Sequence, residues 1–579
     1  MRRRGRRATC RGPARELDAR TEFACYWIVT TPISFFVLTA TALWLTAASP
    51  TNLSAAESGQ ARLRVTIHDE VGNQIPARAW VTQGDQQYFQ PDSPTTAIAY
   101  ARDQSFSCPG QFEMTLDSGS VKVHIERGKE WLPFDLELEL KPETMTDRVV
   151  TLKRWIDLKS QGYYSADLHI HLGNENPAVL SQLASADDLD VVPAFTLWWT
   201  GHEETLPHRW PAWNIEAPYF TESGRWLTAN NLEIERIASR TAPGSTVGAS
   251  FFYNLRQPLP VSNFDPRYPT DTDLCLLARA LSPEVVIDTD KPSWAETAVG
   301  AILGAYDTVQ VCHNHFHRQQ TLAGGWGMMG PLADNERPLE QQNELFHRTN
   351  RHYYAFLNCG IRLGVSGGSA IGVMPVPAGY SRVYAKVDPP FSVPRFWQAV
   401  KAGRSFATSG PFITMTIDGH EPGDTLHLRG DNPEKLSIKL STHSTVPLRS
   451  IELIHNGAVV RQLNVVDLHP SPTIHTTNDL HHTPTRSGWY ATRVIYESPA
   501  GHLRQAHTSP IYALIKDQPI AFKSEAMYLS RWIDRLMAIA EQPNRYENAN
   551  KKAEVIATYL RAREAYARVA KIATEVWGD

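Results

Sequence analysis

Short runs of alternating apolar and polar residues occur at two separate places in the chain, and between them the strand-like runs are wholly apolar. Strict alternation builds a sheet with one wet face, whereas an apolar run of strand length must be covered on both faces. The first stretch spans residues 61–155. It contains "ARLRVTIHDEVGNQIPARAWV", with a turn signal at Gly72-Asn73, and then "GSVKVHIERG" and "FDLELELKP". This predicts a small antiparallel β-sandwich. Residues 156–411 read differently: "LDVVPAFTLWW", "GASFFYNL" and "YDTVQVCHNH" are strand-like, and the stretch 282–305 reads as helical. That texture predicts α/β architecture, a parallel sheet or barrel clothed in helices. Alternation returns over 412–516, in "TMTIDG", "KLSIKLST", "RSIELIHNGAVVRQL" and "GWYATRVIYES", and predicts a second sandwich. Residues 517–579 form a helical tail, in which Tyr528, Trp532, Leu536 and Ile539, then Ile556, Leu560, Tyr566, Val569 and Ala573, mark the core-facing stripe. A chain of 579 residues is too long for one core, so several domains are expected.

The N-terminus reads as an export signal. Arginines at positions 2, 3, 4, 6 and 7 precede a segment, 23–56, without a charged residue. Within it Tyr26 to Ala48 is long enough to span a bilayer, and small residues at Thr46/Ala48 and Ser54/Ala56 suit signal cleavage. Residues 1–60 are therefore expected to be a signal peptide or anchor with a linker. The mature protein would be periplasmic or extracellular, with membrane association if the segment is retained. Of six cysteines, Cys108, Cys275, Cys312 and Cys359 lie beyond this segment; no C-x-x-C occurs, and an oxidising compartment allows one or two disulfides. A net charge of −4 offers no basic field for nucleic acid.

The chemistry concentrates in "GYYSADLHIHLG", residues 162–173. His169 and His171 are two apart on a β-like run, so their imidazoles project from one face. That is half of a zinc, manganese or iron site, with Asp167 on the same face as a ligand or supporting acceptor. In "VQVCHNHFHR", a continuing strand would align His313, His315 and His317 with Val309 and Val311 and point Cys312 the other way. Such residues at the C-terminal ends of barrel strands occupy active-site positions. Glu233 and Glu235 again share a face and supply carboxylates for one or two cations, while Asp190 and His202 flank an apolar strand.

These motifs, in this order, resemble the carbaryl and methylcarbamate hydrolase-like branch of the PHP (polymerase and histidinol phosphatase) metallohydrolases. "GYYSADLHIHLG" is similar to that branch's opening histidine motif. "GYSRVYAKV" followed by "FWQAVKAGRSFATSGPFITMTIDG" is similar to its exit from the barrel, and "IELIHNGAVV" and "AHTSPIYAL" to its C-terminal sandwich. The resemblance runs from about residue 64 to the end. It implies a distorted (β/α)7 barrel with up to three metal ions, His169 and His171 as ligands, Glu233 or Glu235 as the family glutamate, and His313 or His315 as the later histidine. The sequence departs from the family at "GVSGGSAIGV", where Ala370 stands at the position of a ligating Asp and Ile371 follows it.

Two functions follow as expectations. The first is a hydrolase of one or two divalent ions acting on an ester, carbamate or phosphoester of a small molecule or polymer. In it His317 or His202 serves as proton donor and Arg382 as a holder of anionic groups, unless that arginine is structural. The second is a non-catalytic binder of an extracellular carbohydrate or other polymer, using Trp198, Trp199, Trp210, Trp213 and Trp226 as stacking surfaces.

Overall fold

The computed structural model describes residues 59–579 apart from 93–96, 173–175, 196, 200–203, 208–218, 223, 238–243, 245, 261–266, 323–325, 430–434, 467 and 469–471. It is a β-rich α/β structure with several sheets and seven α-helices among the described residues. The expected export segment lies outside them. No helix among the described residues is long and apolar enough to cross a membrane.

Alternation becomes sheet near the start of the described chain. Gln60–His68 buries every second residue, pairs antiparallel with Gln111–Asp117 and runs parallel to Met145–Thr151. A second sheet joins Ile98–Tyr100, Ser105–Cys108, Ala77–Gln83, Gly119–Glu126 and Phe134–Leu140. Leu63 and Val65 of the first sheet share one core with Val81, Val121 and Val123 of the second.

The middle of the chain closes into a ring. Tyr163–Ala166 runs parallel to Val191–Val192, and the chain continues to Leu197–Trp199, which pairs with Leu232–Ile237. From there the order is Thr246–Tyr253, Val286–Thr289, Thr308–Cys312 and Gly364–Gly367. The Leu168 N–H donates to the Gly367 carbonyl (3.1 Å) and the His171 N–H to that of Ile371 (2.9 Å), returning the ring to its first strand. The pairing departs from an all-parallel sheet, since Thr246–Tyr253 is antiparallel to both neighbours. The link from Ile237 to Thr246 is too short for a helical crossover, so the chain turns back as a hairpin does.

Among the described residues, the ring strands bury side chains on both faces. Leu232, Ile234, Phe252, Ile287, Val309 and Val365 face a core shared with Leu274 and Cys275 of the helix Asp271–Leu281, Tyr353 and Phe356 of Glu344–Asn358, and Trp532 of Lys523–Ala540. Glu233, Phe251 and Asp288 alternate with them along the strands. The stretch 282–305, read as helical, contains the strand Val286–Thr289 and only a short helix, Thr297–Ile302. Pro283 and Pro292 bracket its β-branched run, which leaves no room for a longer helix there.

One sheet then crosses the expected boundary at 411/412: Ser405–Thr408 pairs with Leu503–Thr508, linking the ring side to the C-terminal strands. Asn456 and Gly457, both at positive φ, join Ser450–His455 to Ala458–Leu463 as a tight hairpin. The helices Lys523–Ala540 and Ala549–Trp577 close the chain. Tyr528, Trp532 and Leu536 are buried as expected, but in the last helix the buried stripe is Val555, Tyr559, Ala562, Tyr566 and Ala573, and Leu560 points outward at 41% exposure. Tyr559 and Tyr566 hydroxyls donate to Glu296 Oε1 and the Ala298 carbonyl at 2.6 and 2.7 Å, which anchors that helix on the ring. Cys108, Cys275, Cys312 and Cys359 are free and buried.

Two buried imidazoles tie these layers together in the neutral state. His352 sits between the Ser293 and Tyr528 hydroxyls at 3.1 and 3.0 Å, and His507 between the Tyr354 hydroxyl and the Thr508 carbonyl at 2.8 and 2.7 Å. Burial, reinforced by nearby arginines, holds His352 well below the usual imidazole range and lowers His507 to about 3. Below pH about 6.5 the unfolded chain binds protons that the folded chain refuses, so stability falls as pH falls from there towards 3. Each imidazole is expected to contribute a slope of about 1.4 kcal/mol per pH unit. Urea midpoints compared at pH 7 and pH 5 test this, and His507→Gln should flatten the slope; a midpoint independent of pH would refute it.

Candidate metal centre

His169 and His171 follow the first ring strand. Asp167 bends the chain there: its carboxylate accepts the N–H groups of His169 (2.9 Å), Ser369 (2.9 Å) and Gly379 (2.7 Å). Asp167 is thus occupied with backbone and supports the site without facing it. Burial raises its pKa to about 6, against these hydrogen bonds. The two imidazoles do share a side, with ring centroids 4.9 Å apart. Phe251, 4.6 Å from the His169 ring, and Phe195 wall them from water.

Glu233 comes from the strand Leu232–Ile237. Leu232 and Ile234 turn to the helix-side core, so alternation sends Glu233 to the opposite face. Its Oε2 lies 3.1 Å from His171 Nε2 and 3.7 Å from His169 Nε2, and the two Nε2 atoms are 3.0 Å apart. All three residues are buried and together could hold a metal ion. Two imidazoles and a carboxylate suit a divalent transition metal. Donors of a tetrahedral ion with bonds of 2.0–2.1 Å stand roughly 3.3 Å apart, and the observed separations bracket that value. The two Nε2 atoms stand at hydrogen-bond distance from each other, while Glu233 Oε2 makes no hydrogen bond.

Electrostatics support the same reading. Burial, with some help from the Lys291 ammonium, holds His169 well below the usual imidazole range, so its ring is neutral and ligand-ready. Burial, then the negative charges of Glu235 and Asp290, pushes Glu233 well above the usual carboxylate range. A cation would reverse that penalty.

The other expected residues distribute as follows. Glu235 shares the strand face with Glu233, is half-buried, and acts on it as a neighbouring charge without joining the triad. The strand carrying Val309 and Val311 ends at Cys312, and the Phe316 N–H closes a turn on the His313 carbonyl (3.0 Å), so the expected single face of histidines does not form. A continued strand would have sent His313 and His315 to the helix side with Val309 and Val311; the turn redirects them. His313 contacts the Thr349 hydroxyl through Nε2 (3.1 Å) and takes the His315 N–H on Nδ1 (3.3 Å). Both its nitrogens are therefore engaged by protein. His315 is buried 5.7 Å away, ring to ring. His317 is lowered to about 4 by burial and by Arg504, with the Asn314 carbonyl opposing, so it is neutral at pH 7 and not a cationic proton donor.

Arg382 is structural. Its guanidinium donates to the carbonyls of Gly379 (2.7 Å), Asp187 (2.8 Å) and Asp188 (3.3 Å), leaving it turned away from any anionic ligand. Asp190 binds Lys159 (2.9 Å) and the Ser165 N–H (3.0 Å). His202, Trp210 and Trp213 lie outside the described residues, as do the side chains of Trp198 and Trp199. Trp226, half-buried, packs with Phe391 against a buried core cluster.

Three features were not anticipated. Asp290 Oδ1 approaches His169 Nδ1 at 3.7 Å and makes no hydrogen bond, while Oδ2 takes the Lys291 ammonium and the Trp294 N–H (3.1 Å). The run "DTDK" at the end of an apolar strand was the available signal, since the ends of ring strands carry functional groups. The second feature is the glycine lining of "GVSGGSAIGV". A Cβ on Gly368 would stand 2.5 Å from His169 Cβ, and one on Gly372, at φ +105°, would stand 2.9 Å from His171 Cβ. Only glycine allows this loop to close over both histidines. The third is Ala370, buried at φ +55°, a backbone state that Asp adopts more readily than Ala. No family model matches the chain, and no curated protein matches it.

Proposed function

We propose that the chain is an exported, metal-dependent hydrolase in which the strand ring is a distorted (β/α)7 barrel of PHP type. Its substrate would be an ester, carbamate or phosphoester. The observation that carries the reading is the buried convergence of His169, His171 and Glu233 inside the closed ring. A zinc, manganese or iron ion bound there would supply Lewis acidity and bring the pKa of a water to near 7.

The chain's own groups have distinct tasks. Glu233 gives up its proton on ion binding and balances charge. Asp290 Oδ1, 3.7 Å from His169 Nδ1, would on closer approach accept that ring's N–H and leave Nε2 for the ion. Lys291, buried beside Asp290, places a second positive charge near the triad, where it offsets charge on a substrate oxygen. His317, neutral at pH 7, has no imidazolium proton to donate. With His313 engaged elsewhere and Ala370 at the place of a ligating Asp, one ion is favoured over two.

Metal-stripped protein given zinc, manganese or iron singly should hydrolyse p-nitrophenyl acetate, an aryl N-methylcarbamate or bis(p-nitrophenyl) phosphate with at least one metal, and Ala370→Asp should raise the bound metal. Folded protein that takes up no metal on soaking and hydrolyses none of these probes would favour the polymer-binding reading instead. For export, the basic start and the uncharged segment 23–56 motivate a mature N-terminus near Ser49 or Glu57. N-terminal sequencing of protein from the native host tests it, and an intact Met1 in the cytosol would contradict it.

A further inference from the structure

The helix Val393–Lys401 ends against the start of the ring strand Gly364–Gly367, where a Cβ on Gly364 would stand 3.0 Å from Gly403 Cα. A cleft of about 290 Å³ lies there, at the lower limit of small-molecule sites. Asp307, Arg362, Lys401 and Tyr512 supply side chains to it, and Gly364 and Gly403 leave part of its wall to bare backbone. The triad does not line it. It sits where the strands Thr308–Cys312 and Gly364–Gly367 begin, the end opposite to Cys312 and the histidines that follow.

The charges that line this cleft do not cancel. Asp307 is already engaged, since its Oδ2 accepts the Ile287 N–H (2.9 Å) and its Oδ1 pairs with Arg279 (3.0 Å). Arg362 is exposed and spends one of its five N–H donors on the Thr425 hydroxyl (2.8 Å), with its guanidinium laid over the Tyr512 ring at 4.3 Å. Lys401, half-buried, donates to the carbonyls of Val285 (3.0 Å) and Pro283 (3.3 Å), which leaves one ammonium N–H. Among the described residues neither cation has a carboxylate within 4 Å. Both are therefore held in place by uncharged groups, with their charge unmatched.

A second cation would be repelled here, and a neutral molecule would strip water from both charges and return no counter-charge. The end of the helix brings about half a negative charge, which Lys401 in its last turn more than offsets. A tetrahedral oxyanion suits what remains: a guanidinium fork for two oxygens and an ammonium for a third. We infer that this cleft is a site for a phosphate group, free or carried on a small phosphomonoester, held by Arg362 and Lys401. Thr425 begins the strand Thr425–Leu428 of the C-terminal sheets, whereas Lys401 ends a helix packed on the ring. A bound phosphate would thus join the two parts and add to their stability. None of this rests on the hydrolase reading.

The test is inorganic phosphate titrated into the metal-stripped full chain at low ionic strength, followed by calorimetry and by thermal melting. A dissociation constant below about 1 mM is expected, with a melting temperature that climbs as phosphate is added. Arg362→Ala and Lys401→Met should each weaken binding about tenfold or more, and Lys401→Met carries the test alone should Arg362→Ala fail to fold. Arg395→Ala removes an exposed arginine outside the cleft and should change nothing. His169→Ala should also bind phosphate as the parent does, which separates this site from the metal centre. Glycerol 3-phosphate binding at least about tenfold tighter than phosphate would identify a phosphomonoester as the ligand, and the reverse order the free ion. No saturable binding below about 10 mM, undiminished affinity in both cleft variants, or equal weakening by Arg395→Ala would overturn the inference.

Discussion

His169→Ala and His171→Ala are each expected to lower metal affinity by more than about a hundredfold, since even groups that merely support a ligand cost 10–100-fold when removed. Each variant leaves two of the three donors that lie within 4.8 Å of one another. Neither Asp167 nor His313 can take the vacated place: Asp167 is committed to three backbone N–H groups, and His313 to Thr349 and the His315 N–H. Hydrolysis of activated esters or phosphoesters should fall by at least about a hundredfold with the metal. The fold should survive, because the strands around the site are buried on their other face against the helices. The measurements are bound metal, thermal melting and hydrolysis beside the parent. Parental metal content in both folded variants would remove the triad as a metal site, and the hydrolase reading with it.

The second large effect is on stability. Arg78→Ala is expected to cost about 3–5 kcal/mol, as breaking one side of a buried ion pair does. Arg78, on a strand of the N-terminal sheets, gives paired hydrogen bonds to Asp187 (2.9 and 2.6 Å) at the end of the helix Pro177–Ala186, with side chains 0% and 4% exposed. Burial opposes the charge on Arg78, and the Asp187 carboxylate more than compensates. Removing the arginine leaves that carboxylate buried without the guanidinium it is paired with. The contact also sets the N-terminal sheets against the ring, where Tyr100 and Arg102 steady the Gly372 loop beside His171. The double variant Arg78→Met/Asp187→Leu should recover most of the loss, because it removes the orphaned charge as well. Urea unfolding of the two variants beside the parent is the check. A loss below about 1 kcal/mol in Arg78→Ala would place the pair among weak, solvent-screened bridges.

Local periodicity in the sequence is enough to read the alternating sheets at both ends, the doubly buried strands between them and the helical tail. It also places His169 with His171, and Glu233 with Glu235, because residues two apart on an extended chain share a face whatever the rest of the molecule does. The same rule failed at His313, His315 and His317. A turn after Cys312 ends the strand, and nothing in the alternation announces it. It failed again over 282–305, where a buried strand and a short helix are adjacent and an apolar run cannot distinguish them.

Only the tertiary structure decided which carboxylate meets the histidines. Glu233 is 62 residues beyond His171, and the two meet because hydrogen bonds close the ring. Leu232 and Ile234 take the helix side and thereby turn Glu233 inward. Closure likewise brought Asp290 to His169, spent Arg382 on backbone carbonyls, and set Gly368 and Gly372 against the two imidazoles. A face is a property of a few neighbouring dihedral angles and is written in the sequence. A site is a property of distances between strands, which only packing fixes.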